Sequence, residues 1–391
     1  MIKPKVPNIK TSVFAVMSKM AAEYDAVNLS QGFPNFEVSQ ELISLVNKSM
    51  TDGNNQYAPM PGVLSLREKL SGKTEKLYGH KYNPETEITI TAGGTQALHS
   101  AISTIVNEGD EVIIFEPAYD SYAPVVRLNG GRPVYIKLKY PDFSVDWEEV
   151  NKTVNSKTRL IIINTPQNPS GKVFSDEDMQ KLKKVVSGTK IMILSDEVYE
   201  HIIFDNKKHN SVIKYPELVE RSVIVYSFGK MYHATGWKLG YFMAPENITK
   251  EIRKIHQFTV FAANTPIQYA ISEFIEKEDE YLKLSEFYQK KRDYFNNLLT
   301  EIGFDIKPTE GTYFQTVNFS NYTDETDFQL AERLIKKFGI ASIPMSSFYH
   351  NEENTKTLRF CFAKTDETLA KAAEKLAEFY KVSKKQLDLF K

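Results

Sequence analysis

The chain has 391 residues, of which 41% are hydrophobic and 25% are charged, and its formal net charge is −1. This composition is typical of a globular protein, and it gives no electrostatic reason to expect nucleic acid or an anionic membrane as a partner. A single cysteine excludes an internal disulfide framework and a multi-thiolate metal site. The sequence shows neither the apolar core of a secretory signal nor a run of the ~20 apolar residues that a membrane-spanning helix needs. We therefore expect a cytoplasmic protein.

Short β-rich runs alternate with amphipathic segments through the middle of the chain. The runs lie at 87–93, 111–117, 132–138, 159–166, 190–197, 222–229 and 240–245. Several are continuous stretches of Ile, Val and Leu, as in parallel strands that are covered on both faces. Helical segments lie between them, for example at 95–106 and 176–187. This order predicts an α/β fold with a mostly parallel central sheet and helices on both faces.

The pattern changes after about residue 247, where long, charged amphipathic helices replace the alternation. Short strands are predicted around 313–319 and 357–363, and a closing helix at 365–381. The chain is too long for one simple core, so we predict two domains. Residues 1–45 form an N-terminal arm and part of a smaller α+β domain, residues 46–285 form the large domain, and residues 286–391 complete the smaller one.

Polar side chains follow the ends of several predicted strands, where open α/β sheets bind ligands. Gly94 and Thr95 lie between a strand and a helix, where backbone N–H groups can hold a phosphate, although a Gly-containing turn into a helix is the commoner explanation of such a segment on its own. Asn168 lies in a loop that prolines restrain, and it either bonds a ligand or only shapes a turn. Asp196 and Tyr199 follow a buried strand, and the alternatives for the acid are a ligand contact, a surface turn or a helix N-cap.

Basic residues occupy two further notable positions. Lys230 follows a strand end at Ser227, and Lys238 lies eight residues later, before another strand. Most lysines are solvated, but a lysine whose pKa is depressed in such a site can form a Schiff base with a carbonyl compound. Arg359 lies within an apolar strand, where its guanidinium requires either a ligand carboxylate or an internal acid. The seven histidines show no metal-ligand spacing, so no metal site is predicted.

Together, eight segments resemble the class I aminotransferases of fold type I, which use pyridoxal 5′-phosphate (PLP). The segments are NLSQGFPNF, NQYAPMPG, TAGGTQAL, EPAYDSY, NTPQNPSG, SDEVY, SFGKMYHATGWKLGY and LRFCFAK. The resemblance spans nearly the whole chain and is greatest to the branch of methionine aminotransferases and kynurenine–glutamine aminotransferases. It implies a PLP-dependent transaminase that moves an α-amino group from an amino acid to a 2-oxo acid by a ping-pong mechanism. It also implies a homodimer with shared active sites.

The resemblance assigns the cofactor contacts residue by residue. Lys230 would bond PLP covalently and act as general base, and Asp196 would pair with the protonated ring nitrogen. The remaining contacts would be Asn168 and Tyr199 at the phenolic oxygen, Tyr119 on the ring face, and Gly94, Thr95, Ser227, Lys238 and the partner subunit's Tyr57 at the phosphate. The large domain, residues 46–285, is then the PLP-binding domain.

The resemblance also implies a substrate pocket. Arg359 would hold the substrate α-carboxylate with help from Asn168 and the backbone at Gly32, and Phe14 and Phe261 would line the side-chain pocket. Phe14 stands where some kynurenine-active relatives have tryptophan, so we expect methionine and aromatic or neutral amino acids ahead of kynurenine or glutamine. A PLP-dependent lyase that cleaves the C–S bond of cysteine conjugates would keep the same fold, lysine and aspartate, and is the alternative.

Overall fold

The computed structural model of the protein describes residues 2, 4–6, 9 and 11–389, the last five of them by their backbone alone. The strands in these residues are β1 (Val27–Asn28), β2 (Ile88–Thr91), β3 (Glu111–Glu116), β4 (Arg132–Lys137), β5 (Thr158–Asn164), β6 (Met192–Asp196), β7 (Ser222–Ser227), β8 (Gly240–Met243), β9 (Phe314–Asn318), β10 (Ile340–Ala341), β11 (Ile343–Pro344) and β12 (Thr357–Cys361). Each of the seven strands predicted between residues 87 and 245 is present, with bounds within two residues of the prediction.

The α-helices of the same residues are α1 (Val13–Glu23), α2 (Gln40–Thr51), α3 (Leu64–Tyr78), α4 (Gly93–Ile105), α5 (Tyr122–Leu128), α6 (Trp147–Thr153), α7 (Asp176–Val186), α8 (Pro216–Val219), α9 (Phe228–Met231), α10 (Glu246–Thr259), α11 (Thr265–Phe274), α12 (Asp279–Leu282), α13 (Leu284–Ile302), α14 (Asp327–Arg333) and α15 (Asp366–Leu389). Among these described helices, none combines the length and the apolar character needed to cross a bilayer.

Seven strands form the central sheet in the order β2-β8-β7-β6-β5-β3-β4. The pairings from β4 through β3, β5 and β6 to β7 are parallel, whereas β8 runs antiparallel to both β7 and β2. The connection from β7 to β8 is short, with the four-residue helix α9 and one turn of 3-10 helix at Thr235–Trp237, and β8 returns in the opposite direction. The predicted mostly parallel sheet is confirmed.

The strand β5 shows how both faces of this sheet are buried. Leu160 and Ile162 pack in an apolar cluster with side chains of α4, whereas Ile161 and Ile163 pack in a second cluster with side chains of α7 on the opposite face. None of the four is more than 2% exposed, and burial of an aliphatic side chain of this size stabilises a fold by about 1.5–3 kcal/mol. Burial on both faces explains why the strand sequences are continuous apolar runs.

Two smaller sheets lie outside the central sheet, and one of them joins the N-terminal and C-terminal parts of the described chain. One is antiparallel, with the order β11-β12-β9, and in the other β1 pairs in parallel with β10. Val27 lies opposite Ile340, so the N-terminal segment packs with the C-terminal part of the chain. Arg359, in the middle of β12, lies between Ile343 and Thr316 of the neighbouring strands.

The parallel order brings the carboxyl ends of β5, β6 and β7 to one edge of the central sheet. The last residues of these strands are Asn164, Asp196 and Ser227, and Asn164 lies directly opposite Asp196. The loop after β5 folds back to the same edge, where the Asn168 N–H donates to Asn164 Oδ1 over 2.8 Å. Three strands and one loop therefore present polar side chains to a common volume.

The loop that carries Asn168 depends on Gly171, and this dependence is testable. Gly171 has φ +73°, and a Cβ there would lie 1.5 Å from Thr309 Oγ1 and 2.7 Å from the Gly311 carbonyl oxygen. Gly188 is a matched control, because it has φ +70° and nothing within 4 Å of the same position. We expect Gly188→Ala to lower the free energy of unfolding by about 1–2 kcal/mol through backbone strain alone. Gly171→Ala should lower it by about 3 kcal/mol or more, since the clash adds to that strain.

Urea unfolding of the two variants, followed by circular dichroism, measures the difference. Equal losses of stability for Gly171→Ala and Gly188→Ala would show that this loop adjusts freely around a Cβ.

Candidate active site

A cavity of about 200 Å³ opens at the carboxyl edge of the central sheet. Nine residues predicted from the sequence line it together: Gly94, Thr95, Tyr119, Asn168, Asp196, Tyr199, Ser227, Lys230 and Lys238. They come from the ends of β5, β6 and β7, the start of α4, and the segments that follow β3 and β7. The topology of the sheet thus assembles residues that are far apart in the sequence.

The Asp196 carboxylate forms one wall and is only 3% exposed. The Tyr122 hydroxyl donates to its Oδ2 over 2.6 Å, and the Val198 N–H donates to its Oδ1 over 3.4 Å. Burial raises the pKa of Asp196 to about 6, although the Tyr122 hydrogen bond opposes the rise. This burial excludes the surface-turn alternative, and no α-helix begins at this residue, so it is not a helix N-cap. An ionised Asp196 therefore favours a cationic group beside it.

The Lys230 amine lies in the same cavity, on the short helix that follows β7. Its Nζ donates to the Tyr313 hydroxyl over 2.7 Å and to the Gly32 carbonyl over 3.2 Å. Removal from water, with a smaller contribution from the nearby positive charge of Arg359, lowers the pKa of Lys230 to about 8. A larger fraction of this amine is therefore neutral near pH 7 than of a surface lysine, and a neutral amine is the nucleophilic form.

The start of α4 forms an anion-binding end of the cavity. Gly94 and Thr95 lie in the first turn of this 13-residue helix, where free backbone N–H groups and the helix dipole favour negative charge. The Lys238 side chain lies against the same turn, since a Cβ built on Gly93 would be 3.6 Å from its Nζ. Ser227 lines the cavity beside them. These groups suit a phosphate.

The Arg359 guanidinium is fully buried above Asn168. Its Nη1 donates to Asn168 Oδ1 over 2.6 Å, and its Nη2 donates to the Ser30 carbonyl over 2.9 Å. Its Nε has no acceptor, and no carboxylate of the described residues lies within salt-bridge distance. The alternative of an internal salt bridge for Arg359 is therefore wrong for the described part of the chain. Burial lowers the pKa of Arg359 to about 10, so the group stays charged and can bind an anion.

Aromatic rings surround this guanidinium. Its Cζ lies 3.8 Å from the ring centre of Phe314, 5.2 Å from that of Phe14 and 5.1 Å from that of Phe348. Phe14 thus lies beside Arg359, and its place in a side-chain pocket stays a prediction. Gly32 also lies here, but its carbonyl group accepts hydrogen bonds from Lys230 and Tyr313.

Two predicted site residues lie away from the cavity. The Tyr57 side chain is 85% exposed and that of Phe261 is 45% exposed, and their rings meet edge to face with centres 5.6 Å apart. Neither lines the cavity of its own chain. The structure therefore groups Tyr57 and Phe261 with each other on the surface.

Sequence reasoning missed two tyrosines at this site. Tyr122 lies three residues after Tyr119 in the segment EPAYDSY. This nearness to Tyr119 was the only sequence feature that could have indicated its hydrogen bond to Asp196. Tyr313 follows Thr312, which has φ +65°, and reaches Lys230 from a distant part of the chain. No feature of the sequence around Tyr313 distinguished it from an ordinary core tyrosine.

An amine of depressed pKa that faces a buried acid, close to an anion-binding helix terminus, suits the exchange of an amino group at a carbonyl carbon. The class that performs this exchange is that of the PLP-dependent transaminases. Comparison with known proteins agrees: residues 24–376 match the family model of the class I and II aminotransferases, and the chain belongs to this family.

Individual relatives are similar over nearly the full length. The chain is 46% identical to the methionine aminotransferase of Escherichia coli strain K12, over 96% of this chain and 97% of the relative. It is 36% identical to the kynurenine–oxoglutarate transaminase of Dictyostelium discoideum, over 95% and 94% of the two chains. The crystal structure of YbdL from Escherichia coli, for which a methionine aminotransferase function was identified, superposes with a TM-score of 0.94 at 44% identity, over 97% and 99%. The N-succinyldiaminopimelate aminotransferase of Mycobacterium tuberculosis gives 0.93 at 32%, over 97% and 100%.

The protein is thus a PLP-dependent aminotransferase, and the cavity fits this cofactor. Asp196 is a buried acid without a cationic partner in salt-bridge contact among the described residues, which suits a protonated ring nitrogen. The first turn of α4 and Lys238 suit the phosphate, and Lys230 supplies an amine in the same cavity. The described residues contain no group of three or more side chains that could hold a metal ion.

The buried charge of Asp196 has a measurable effect on stability. Its pKa in the folded chain, about 6, lies above its ordinary value of 3.8, so the native state binds the proton more tightly than the unfolded state. The resulting loss of stability is small below pH 4, grows between pH 4 and pH 6, and is constant at higher pH. We therefore expect Asp196→Asn to stabilise the cofactor-free protein by about 2 kcal/mol more at pH 8 than at pH 4.5.

Urea unfolding of the cofactor-free protein at the two pH values measures this effect. Asp324→Asn, which alters a fully exposed carboxylate that pairs with Lys356, is the control for the same chemical change at the surface. If Asp196→Asn raises the free energy of unfolding by the same amount at both pH values, Asp196 is not a buried ionised group.

Proposed function

We propose that the protein transfers the α-amino group of methionine, and of aromatic or neutral amino acids, to a 2-oxo acid, with Lys230 as the covalent attachment point of PLP. One observation carries the proposal: the Lys230 amine and the Asp196 carboxylate line one cavity, and the buried Arg359, which has no acid in salt-bridge contact among the described residues, donates to Asn168 of that cavity. The similarity to the methionine aminotransferase of Escherichia coli supports the choice of methionine.

When bound, PLP supplies an electron sink for the electrons of the bond that breaks at the amino acid's Cα. In the proposed arrangement Asp196 would pair with the protonated ring nitrogen. The neutral Lys230 amine would take the proton from the amino acid's Cα and later give it to C4′ of the cofactor. The pKa of about 8 supports Lys230 in this role, because a base is most effective when its pKa lies near the working pH.

The other residues of the cavity would hold the cofactor. Gly94, Thr95, Ser227 and Lys238 bind the phosphate, Tyr119 lies on the ring face, and Asn168 and Tyr199 bond the phenolic oxygen. The Asn168 side-chain oxygen already accepts a hydrogen bond from Arg359. The Asn168 side-chain nitrogen is therefore the atom that can donate to the phenolic oxygen of the cofactor. One side chain would in this way link the cofactor to the residue that binds substrate.

Arg359 would bind the substrate α-carboxylate together with Asn168 and the backbone at Gly32. Its unused Nε and its planar donor fork support this role. The Phe14 and Phe348 rings beside the guanidinium offer an apolar surface to a thioether or aromatic side chain.

The half-reaction with methionine tests the proposed substrate. Methionine added without any oxo acid should remove the near-visible absorbance band of the PLP-loaded enzyme, because the amino group passes to the cofactor. Lys230→Ala, reconstituted with PLP, should bind the cofactor weakly, and its turnover should fall by at least about 10²-fold because the base is lost. If the absorbance band does not change with methionine but decreases with kynurenine, the proposed substrate preference is contradicted.

Release of ammonia and pyruvate from a cysteine conjugate would support the lyase alternative.

We also propose that the protein is a homodimer in which Tyr57 and Phe261 complete the partner's site. Both side chains lie outside the cavity of their own chain, and their exposed rings contact each other edge to face. Exposed aromatic clusters of this kind are typical of protein interfaces. The predicted division into residues 1–45, 46–285 and 286–391 is also a proposal, and the pairing of β1 with β10 supports it.

The cytoplasmic location is likewise a proposal.

Mixed dimers test the sharing of sites. Lys230→Ala and Tyr57→Ala should each have low activity alone at limiting PLP. In a mixed dimer one site carries both changes and the other carries neither, so activity should rise to about half that of the unmodified protein, by the symmetry of a two-fold dimer. If the mixture stays as inactive as its components although sedimentation shows dimers, Tyr57 acts in the active site of its own chain.

A further inference from the structure

We propose that the Tyr313 hydroxyl is a positioning group that orients the Lys230 amine, an inference that rests on the proposed role of Lys230. Tyr313 lies at the start of β9, Gly32 in the segment after β1, and Lys230 after β7. The hydroxyl, the Gly32 carbonyl and the lysine amine form a triangle of hydrogen bonds. The triangle joins three segments that are far apart in the sequence.

The direction of each hydrogen bond in this triangle is fixed. The Tyr313 hydroxyl donates its only proton to the Gly32 carbonyl over 2.6 Å, so toward Lys230 it can only accept. The Lys230 Nζ donates to Tyr313 over 2.7 Å and to Gly32 over 3.2 Å. A neutral amine has two N–H groups and one lone pair. With both N–H groups held by these oxygens, the lone pair points away from them, toward the cavity that Lys230 lines.

Packing holds Tyr313 in place for this task. Its side chain is fully buried, and its backbone carbonyl accepts from the Phe362 N–H over 2.9 Å. Its ring meets that of Tyr199 edge to face at 5.2 Å and lies 5.7 Å from the ring of Tyr288. The hydroxyl therefore has one position, and it defines where the free amine of Lys230 rests whenever that amine is not bonded to the cofactor.

Tyr288 provides a matched control. Its side chain is also fully buried, and its hydroxyl has no hydrogen-bond partner among the described residues. Tyr288→Phe and Tyr313→Phe each remove one buried hydroxyl from neighbouring rings, but only the second removes an acceptor from Lys230. Asp196, Arg359, Lys238, Cys361 and Tyr199, the other ionisable groups that act on Lys230, are unchanged in both variants.

The first measurement is the rate at which a small acylating reagent modifies Lys230 in the cofactor-free full-length chain, followed across pH by peptide mass spectrometry. Only the neutral amine reacts, so the midpoint reports the pKa of Lys230. A hydrogen bond to an ammonium group stabilises its charged form, and we expect Tyr313→Phe to lower the midpoint by about one pH unit. Tyr288→Phe should leave it unchanged. Replacement of Tyr313 by 3-fluorotyrosine keeps the shape, weakens the acceptor, and should shift the midpoint by less in the same direction.

The second measurement separates kcat from KM in the PLP-loaded enzyme. Because Tyr313 would orient the base and not the substrate, Tyr313→Phe should lower kcat by about 10- to 100-fold and leave KM for the amino acid nearly unchanged. Tyr288→Phe should leave both near the values of the unmodified protein. Tyr313→Phe and 3-fluorotyrosine proteins that match Tyr288→Phe in midpoint and in kcat would overturn the inference.

Reduction of the unmodified holoenzyme with borohydride distinguishes this inference from the function on which it rests. Recovery of the reduced cofactor on the peptide that contains Lys230 would uphold the proposed function whatever the Tyr313 variants do. Recovery on another lysine would overturn the proposed function and the role of Tyr313 together.

Discussion

The arrangement of the site depends on an acid that is kept ionised where water scarcely reaches it. Asp196 ends a central strand, and its backbone carbonyl accepts from the Asn164 amide over 2.8 Å and from the Thr165 N–H over 3.1 Å. The rise of its pKa from 3.8 to about 6 corresponds to about 3 kcal/mol of destabilisation of the charged form. The sheet, which is buried on both faces, supplies the stability that holds the carboxylate there. A ligand that brings a positive charge recovers this energy on binding.

A second buried charge imposes the complementary constraint. Arg359 is fully buried against Phe314 and is held by two neutral oxygen acceptors, so its positive charge is not neutralised by a carboxylate among the described residues. The cavity thus has a negative charge on one wall and a positive charge nearby, and neither is in salt-bridge contact with an opposite charge among the described residues. Charges that are fixed before the ligand arrives need no reorganisation during the reaction, and this is the main electrostatic advantage of an enzyme site over water.

Much of this site was predictable from the sequence because the strand ends of a parallel sheet converge by topology alone. The apolar runs located β5, β6 and β7, and the polar residues after them had to meet at one edge. Tyr122 and Tyr313 were not predictable, since each acts on a residue more than seventy positions away and its function depends on the direction of one hydroxyl. The antiparallel direction of β8 was equally hidden, because a short apolar run reads the same in either direction. The roles of Tyr57 and Phe261 depend on a second chain, so they stay predictions.

The pairing of β1 with β10 has a consequence for biosynthesis. Val27 leaves the ribosome 313 residues before its partner Ile340, the difference between their positions in the sequence. Contacts so distant in sequence close large loops, and they form late because the entropy of closure must be overcome before they stabilise anything. The arginine that would select carboxylates belongs to the same late segment. A nascent chain therefore carries the lysine and the parallel strands well before it carries the arginine that would bind a carboxylate.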